Sequence, residues 1–393
     1  MSASLFPDLG SLYTVDRAGT RYALDDDRWR GADGSPLLVG PAPAPTPDTI
    51  DPAERSLWRY GAAIPVDPAF RTSLGEGCTP MVPLEWNGAR VHAKLEWFNP
   101  TSSFKDRGVA VMVSHLRSRG ARRVLEDSSG NGGSSVAAYA AAAGLDAKIL
   151  VPAATSEAKV LMVKAFGAEI ELVGGTRDEV SAEAIRQSAE IPYASHAWHP
   201  MFLEGTKTIA YEMWESLGFT APDNVVVVAG GGSNVLGCDV AFTELLAAGL
   251  IEKRPRLFLG QPEHFAPIAD TVNGLDPLEA LAARTEARGA DGLPARTPSM
   301  AEGSSIASPV RLPETVEAVH RSGGGAVAVS EEEIASATRD LVRRGLYAEP
   351  TSAVGAAALT RFQEAGVITP EQTTVLILTG TGLKSAERMA ALY

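Results

Sequence analysis

Short runs rich in β-branched residues alternate with alanine-rich stretches along the chain from about residue 72 onward. The runs are predicted to be strands at Arg90–Leu95, Arg123–Leu125, Lys148–Val151, Glu169–Leu172, Val225–Val228, Leu257–Leu259, Ala326–Val329 and Thr374–Leu378. Stretches between them, such as Ser135–Ala143 and Glu331–Arg344, are predicted to be helices. Regular alternation of strand and helix is typical of an α/β fold with largely parallel sheets.

The N-terminal part of the chain has a different pattern. Residues 1–35 contain two short alternating runs, at 11–16 and 20–26, which predict a small strand-rich extension. Residues 36–53 are rich in proline and are predicted to be a linker held against a surface. We therefore treat residues 1–54 as an extension and linker before the α/β part.

Charge and composition limit the classes of partner. The chain has 393 residues, 45% of them hydrophobic, which is enough for two or three domains with a sizeable core. A net charge of -13 argues against nucleic acid as a partner, since phosphate backbones need a basic surface. No apolar run approaches the roughly 18 residues that a membrane helix needs. The N-terminus has no signal-peptide pattern, and two cysteines without a pairing motif suit a reducing compartment, so we expect a cytoplasmic protein.

Ligands of open α/β sheets bind beyond the carboxyl ends of strands, so we searched those positions for chemistry. The segment 99–108, Asn-Pro-Thr-Ser-Ser-Phe-Lys-Asp-Arg-Gly, follows the strand that ends near Leu95 and leads into an apolar helical run. Lys105 is therefore predicted near a helix start. The positive end of the helix lowers the pKa of an amine placed there, which favours a nucleophilic lysine.

Two further loops are rich in small residues. The segment 127–135, Asp-Ser-Ser-Gly-Asn-Gly-Gly-Ser-Ser, joins a strand to a helix and is predicted to bind a carboxylate or phosphate through backbone N–H groups. The segment 225–234, Val-Val-Val-Val-Ala-Gly-Gly-Gly-Ser-Asn, has the same arrangement. It matches neither of the nucleotide-binding glycine motifs, which makes a dinucleotide-binding dehydrogenase a poor interpretation.

A hydroxyl ends the last predicted strand, where Thr379 follows Val375–Leu378. One such threonine alone indicates little. The combination of a lysine, a Ser/Asn loop, a triple-glycine loop and this hydroxyl fits one ligand, which has an aldehyde, a phenolic oxygen, a phosphate and a pyridine nitrogen.

In these residues the chain resembles the threonine-synthase-like branch of fold-type II enzymes that use pyridoxal 5′-phosphate (PLP), within the tryptophan synthase β-like superfamily. The motif at 103–108 is close to the lysine motif of that branch, and the segments 73–80, 204–208, 349–353 and 379–384 are similar to its other motifs. The resemblance covers roughly residues 55–393. It implies two open, largely parallel sheets flanked by helices, with 55–108 and 205–393 as a large PLP-binding domain and 109–204 as a small substrate-closing domain.

The resemblance also implies a role for each motif residue. Lys105, next to Phe104, forms the Schiff base with PLP and then acts as general base on the Cα proton of an amino-acid substrate. Asn131 bonds the phenolic oxygen, Thr379 faces the pyridine nitrogen, and a neutral hydroxyl there favours loss of a β or γ leaving group over transamination. The remaining expected contacts are to the cofactor phosphate from Gly230, Gly231, Gly232, Ser233 and Asn234, and to the substrate from Ser128, Ser129, Gly130, Asn131 and Phe202.

Three departures from the family pattern refine these expectations. Relatives often begin with a cysteine-built zinc ribbon, but Leu9–Leu37 has no cysteine, so we predict the ribbon shape without a metal. The triple-glycine loop is more similar to that of tryptophan synthase β. Relatives commonly place a basic residue where Phe202 stands, to bind the substrate phosphate, so O-phosphohomoserine is predicted to be a poor substrate unless Arg107 or Lys207 replaces that cation.

These patterns leave three interpretations. The first is a threonine-synthase-like lyase that acts on an amino acid with a β or γ leaving group. The second is a β-eliminating or β-replacing enzyme, similar to serine or threonine dehydratases or to cysteine or cysteate synthases. The third, a catalytically silent PLP-fold binding protein, does not explain why Lys105, Asn131 and Thr379 are all present.

The remaining polar candidates are assigned structural roles, and the enzyme is expected to be a homodimer. Cys78 and Cys238 are interpreted as small packing residues. His196 and His199 are interpreted as loop residues rather than metal ligands, because their spacing is not that of a metal site.

Overall fold

A computed structural model describes residues 9–289 and 292–393 of the chain. Its strands are β1 (Tyr13–Val15), β2 (Arg21–Ala23), β3 (Leu38–Val39), β4 (Met81–Trp86), β5 (Ala89–Leu95), β6 (Arg123–Glu126), β7 (Asp146–Pro152), β8 (Glu169–Val173), β9 (Asn224–Val228), β10 (Arg256–Pro262), β11 (Gly325–Val329) and β12 (Thr374–Leu378). Its helices are α1 (Lys105–Ser118), α2 (Asn131–Ala143), α3 (Glu157–Ala165), α4 (Arg177–Gln187), α5 (Pro200–Thr206), α6 (Thr208–Ser216), α7 (Ser233–Ala247), α8 (Pro267–Val272), α9 (Pro277–Arg284), α10 (Leu312–Ser322), α11 (Glu331–Arg343), α12 (Pro350–Glu364) and α13 (Ala386–Ala390).

The chain divides into two compact units. The first comprises the chain up to Cys78 together with Asn99–Thr208, and the second comprises Thr79–Phe98 together with Ile209–Tyr393. Each unit has its own parallel or largely parallel sheet flanked by helices, which confirms the predicted α/β class.

The second unit contains a six-stranded sheet in the order β11-β10-β9-β12-β5-β4. Every residue of β9 and of β12 is buried, as expected of parallel strands whose two faces are both covered. Helix α12 packs against β9, β10 and β12. Because β9 and β12 are parallel neighbours, with Val226 opposite Leu376, their carboxyl ends lie at the same edge of the sheet.

Strand β4 is the one antiparallel member of this sheet, and the sequence pattern did not predict it. It pairs with β5 from Met81 opposite Lys94 to Trp86 opposite Ala89. The two strands are joined by Asn87 and Gly88, which both have positive φ angles, 47° and 76°. An Asn-Gly pair between two apolar runs is a strong hairpin signal, so the sequence does carry the information for this strand.

The first unit contains the parallel sheet β6-β7-β8. Leu125, Leu150, Val180, Ala184 and Tyr193 form a fully buried cluster around it. The N-terminal extension adds a small antiparallel sheet in the order β2-β1-β3, so the predicted strands at 11–16 and 20–26 are confirmed.

The two units do not follow the predicted domain bounds. Residues 55–78, 99–108 and 205–208, which the resemblance assigned to the large domain, group with the first unit. Helix α1, which begins within 99–108, packs against α2 and α5 of that unit. The N-terminal extension also belongs to the first unit rather than standing apart, since Trp29 packs edge-on against Tyr193 at a centroid distance of 5.1 Å.

Neither Cys78 nor Cys238 forms a disulfide within the described residues, and the two differ in environment. Cys238 is fully buried, as predicted for a packing residue. Cys78 is exposed, with a positive φ of 48°, so its predicted packing role is wrong. The tight turn at 77–78 turns this side chain outward.

The described residues contain neither a group of metal-binding side chains nor a membrane-spanning helix. Within residues 9–289 and 292–393, no three His, Cys, Asp or Glu side chains are grouped so that they could hold a metal ion. In the same residues, no helix combines the length and the apolar character needed to cross a bilayer.

Candidate active site

Lys105 is the first residue of α1, as the sequence predicted. Its side chain is half-buried, and its Nζ lies 4.6 Å from the ring centroid of Phe104 and 5.3 Å from that of Phe202. Two aromatic faces therefore flank the amine within the first unit. An ammonium is attracted to such faces, which position the amine without forming a covalent or ionic bond to it.

Asp106 fixes the backbone on which Lys105 stands. Its buried carboxylate accepts hydrogen bonds from the N–H of Thr101 at 2.6 Å, the hydroxyl of Thr101 at 2.5 Å and the hydroxyl of Ser135 at 2.6 Å. The loop before α1 is thus tied to α2. Hydrogen bonds to a buried carboxylate are short and strong, so the start of α1 is held rigidly.

Helix α5 packs closely against α1 because glycines stand at their contact. A Cβ atom at Gly108 would lie 2.4 Å from the ring of Phe202, and one at Gly205 would lie 2.0 Å from the carbonyl oxygen of Arg107. Phe202 is fully buried by this packing. The two cations nearby in sequence already have partners, because Arg107 donates to the hydroxyl of Thr208 at 3.1 Å and Lys207 pairs with Glu204 at 2.6 Å.

The loop of Ser128, Ser129, Gly130 and Asn131 connects β6 to α2. Ser128 is buried, its hydroxyl accepts the N–H of Gly130 at 3.3 Å, and Asn131 is the first residue of α2. A Cβ atom at Gly133 would lie 1.9 Å from the carbonyl oxygen of Ser128, so glycine is required for the loop to fold back on the helix. The N-terminus of α2 therefore begins directly at the predicted carboxylate-binding loop.

Glu126 and His196 lie beside this loop and contact each other. The sequence did not indicate this contact. Nδ1 of His196 is 2.5 Å from Oε1 of Glu126, and the backbone N–H of His196 donates to Oε2 of Glu126 at 3.3 Å. His196 does lie in a turn, but Glu126 comes just before the loop motif, and no short-range pattern links residues 70 positions apart.

Burial sets the protonation of this pair. The pKa of the Glu126 carboxyl is well above its ordinary value, because burial and then the neighbouring charge of Asp127 disfavour the carboxylate. The pKa of His196 is well below its ordinary value, because of burial and then the positive charges of Lys105 and Arg177. Both shifts favour the uncharged forms, with the carboxyl proton shared with Nδ1.

The triple-glycine loop of the second unit joins β9 to α7. Gly232 has a φ of 90°, and a Cβ atom there would lie 2.1 Å from the hydroxyl of Thr315. Gly230 and Gly231 are partly exposed, and Ser233 begins α7. Asn234 is buried, and its Oδ1 has no hydrogen-bond partner in the part of the chain that the structure describes. An unpaired buried amide oxygen next to a glycine turn is typical of a ligand cradle.

Thr379 follows β12 and is buried. Its hydroxyl lies 3.0 Å from the hydroxyl of Ser352, which also accepts the N–H of Gly380 at 2.9 Å. The Ser352 hydroxyl also donates to the carbonyl oxygen of Gly380 at 3.1 Å, so Thr379 belongs to a hydrogen-bonded cluster directly after β12. Sequence reasoning identified Thr379 but not Ser352, which belongs to the motif at 349–353.

The predicted residues therefore form two groups, one in each unit. Lys105, Phe104, Phe202 and the loop of Ser128 to Asn131 belong to the first unit. The triple-glycine loop and Thr379 belong to the second unit, where the parallel pairing of β9 and β12 places them at one edge of the sheet.

Residues 72–380 match the family model described as pyridoxal-phosphate dependent enzyme. The chain belongs to this family. The match contains every residue that the sequence analysis assigned to the cofactor or the substrate. PLP is accordingly the cofactor.

Curated relatives narrow the branch of the family. The chain is 34% identical to a threonine synthase of Methanocaldococcus jannaschii, over 85% of this chain and 82% of the relative. It is 32% identical to a threonine synthase of Mycobacterium leprae, over 86% of this chain and 91% of the relative. The chain is a PLP-dependent, threonine-synthase-like lyase, and the predicted branch is confirmed.

Solved structures confirm the predicted fold. A threonine deaminase from Solanum lycopersicum superposes with a TM-score of 0.65 at 21% identity, over 90% of this chain and 96% of that one. A serine racemase from Dictyostelium discoideum superposes with a TM-score of 0.59 at 20% identity, over 77% of this chain and 92% of that one.

The residues present fit PLP. The partly exposed glycines, the start of α7 and the unpaired Oδ1 of Asn234 are suited to an anionic group such as the phosphate. The half-buried amine of Lys105, between two aromatic rings, is suited to an aldehyde.

Proposed function

We propose that this enzyme removes the Cα proton of an amino acid with Lys105 and breaks a carbon–oxygen bond at the β or γ carbon. We also propose that O-phosphohomoserine is a poor substrate. Phe202 is the observation that supports the second statement. It is fully buried at the position where the family commonly carries a cation, and Arg107 and Lys207 are engaged elsewhere.

Each predicted residue has a role in this proposal. Gly230 to Gly232, Ser233 and Asn234 hold the cofactor phosphate, Thr379 donates to the ring nitrogen, and Asn131 bonds the phenolic oxygen. Ser128, Ser129, Gly130 and Asn131 bind the substrate carboxylate at the start of α2, and Phe104 and Phe202 flank the reacting amine. When bound, PLP supplies an electron sink for the carbanion at Cα.

The residues of the chain control the proton. Nζ of Lys105, once free, accepts the Cα proton and holds it as an ammonium between the rings of Phe104 and Phe202. The neutral hydroxyl of Thr379, fixed by Ser352, cannot match a full positive charge on the ring nitrogen as a carboxylate does. With this neutral partner, bound PLP would favour expulsion of a substituent over transamination.

A substrate panel tests the proposal. We would measure kcat/KM for O-phosphohomoserine, O-phosphoserine, O-acetylserine, serine and threonine by release of phosphate, ammonia and 2-oxo acid. Loss of one charged, desolvated contact costs about 1.5–3 kcal/mol, roughly ten- to over a hundred-fold in binding. We expect O-phosphohomoserine to fall behind another member by at least about tenfold.

Variants at Phe202 identify the cause. Phe202→Arg should raise activity on O-phosphohomoserine relative to the wild type, and Phe202→Met, a neutral control of similar volume, should not. Efficient conversion of O-phosphohomoserine to threonine and phosphate by the wild type, above every other compound, would make the enzyme a plain threonine synthase. The homodimer and the cytoplasmic location stay predictions, and sedimentation of the holoenzyme tests the first.

A further inference from the structure

Glu126 and His196 form a buried pair in the first unit, and the proposed function gives this pair no role. Glu126 is the last residue of β6 and is fully buried, and the side chain of His196 is only 10% exposed. Both oxygens of the carboxylate bind the same histidine, through Nδ1 and through the backbone N–H. This double attachment fixes the orientation of the imidazole ring.

The pair lies at the predicted substrate loop. A Cβ atom at Gly132, in the first turn of α2, would lie 2.8 Å from Nδ1 of His196 and 3.1 Å from Oε1 of Glu126. On its other side, the His196 ring packs edge-on against Phe202 at a centroid distance of 5.9 Å, and Phe202 flanks the amine of Lys105. The imidazole therefore stands between the start of α2 and the ring that flanks the reacting lysine.

The uncharged forms of Glu126 and His196 allow His196 to deliver a proton to a substrate. The charged groups that act on it are Asp127 on the loop, Arg177 at the start of α4 and Lys105 at the start of α1. When a neutral carboxyl donates to Nδ1, the one ring proton of the neutral imidazole is on Nε2. When Nε2 gives up its proton, the carboxyl proton can move to Nδ1, and the resulting carboxylate is stabilised by the nearby cations.

We propose that His196 is the acid that protonates the departing oxygen of the substrate side chain, and that Glu126 is the positioning residue that supplies and orients the proton. This inference rests on the proposed function. It deepens that function by assigning the substrate class to amino acids whose leaving group is a hydroxyl or another oxygen that leaves poorly without a proton.

The step balances for a β-hydroxy amino acid. Lys105 accepts the Cα proton, and the bond between Cβ and oxygen breaks with its electron pair on the oxygen. Nε2 of His196 gives that oxygen a proton, so that water leaves, and the proton of Glu126 moves to Nδ1. The ammonium of Lys105 and the carboxylate of Glu126 then hold opposite charges. Loss of a proton from Lys105 to solvent, uptake of one from solvent at Nε2 and return of the Nδ1 proton to Glu126 restore all three residues.

The test compares a leaving group that needs a proton with one that does not. Serine must lose hydroxide or water, whereas β-chloroalanine loses chloride, which needs no acid. We expect His196→Gln to lower ammonia and pyruvate release from serine by about a hundredfold or more, the usual contribution of general acid catalysis. Release from β-chloroalanine should fall less than about fivefold, since that step makes no use of the acid.

Two further readouts separate catalysis from folding. PLP fixed by borohydride on Lys105, and exchange of the Cα proton of serine for deuterium, should both persist in His196→Gln. Glu126→Gln should show a smaller loss on serine together with a changed pH profile. His115→Gln is the matched control, because His115 is also buried in the first unit but is not part of this pair.

The outcomes distinguish failure of the acid role of His196 from failure of the proposed function. Equal losses on serine and β-chloroalanine in His196→Gln, with Cα exchange intact, would overturn the acid role and leave the proposed function standing. A wild type that exchanges the Cα proton and releases chloride but no water would also overturn it. A wild type that expels neither group from these two compounds would overturn the assigned substrate class. One that fixes no PLP, or exchanges the Cα proton of no amino acid in the panel, would contradict the proposed function itself.

Discussion

Single residues in the first unit combine burial with charge, and Glu76 shows how this makes stability depend on pH. Its carboxylate is fully buried and accepts hydrogen bonds from the hydroxyl of Tyr139 at 2.8 Å and the N–H of Leu74 at 2.8 Å. Burial raises its pKa from 4.5 to about 7 despite these hydrogen bonds. Desolvation thus outweighs hydrogen bonding at this residue.

The sign of the resulting pH dependence follows from proton binding. The native state keeps the Glu76 proton up to about pH 7, whereas the unfolded chain releases it near 4.5. The free energy of unfolding should therefore fall as pH rises through this window, by up to about 3 kcal/mol, since each pH unit is worth about 1.4 kcal/mol. Glu76→Gln, followed by urea unfolding from pH 5 to 8, should flatten the profile. The exposed Glu190→Gln is the control, and an unchanged slope in Glu76→Gln would refute the assignment.

At the same scale, local sequence pattern indicates candidate residues but not their partners. Lys105, Asn131 and Thr379 lie in contiguous motifs next to strands and helices, which is why the sequence indicates them as candidates. Ser352 and His196 contact Thr379 and Glu126, which are distant from them in sequence. Such pairs depend on how elements pack, which local periodicity does not encode.

Helices α1 and α5 pack closely because glycine replaces a side chain at their crossing. A Cβ atom at Gly205 would lie 2.0 Å from the carbonyl oxygen of Arg107, a backbone atom that cannot rotate away. Gly205→Ala should therefore lower the free energy of unfolding by about 2 kcal/mol or more, through overpacking. Gly174→Ala, where nothing lies within 4 Å, is the control for thermal unfolding of the holoenzyme. Equal melting temperatures would show that the crossing is loose.

Variants of the triple-glycine loop can separate an effect on folding from an effect on cofactor binding. A Cβ atom at Gly231 meets nothing closer than 3.8 Å, whereas one at Gly232 would lie 2.1 Å from Thr315 and φ there is positive. Gly231→Ala should keep the stability of the apoenzyme but weaken PLP binding about tenfold or more, since a methyl group hinders backbone approach to the phosphate. Gly232→Ala should lose both. Unchanged PLP affinity in Gly231→Ala would place the phosphate elsewhere.

Among elements, the strands were predicted within a few residues because buried parallel strands give continuous β-branched runs. The hairpin strand β4 was missed because its exposed and buried residues mix and it contains Pro83. Its Asn87-Gly88 turn was the available signal.

For the whole molecule, sequence alone gave the class of fold and the cofactor, but not the division into units. The resemblance assigned residues 99–108 to the large domain. The structure groups them with the first unit, where α1 packs on α2 and α5. Close packing of this kind, as at Gly108 and Gly205, is not visible in local sequence pattern.

The central claim is that Lys105 carries the cofactor and acts on the Cα proton. The most direct measurement is borohydride reduction of the purified holoenzyme, followed by proteolysis and mass spectrometry of the labelled peptide. We expect one PLP per chain, attached to Lys105, and Lys105→Ala should bind PLP without fixation and lose Cα proton exchange. A label on another lysine, or a chain that takes up no PLP, would contradict the account.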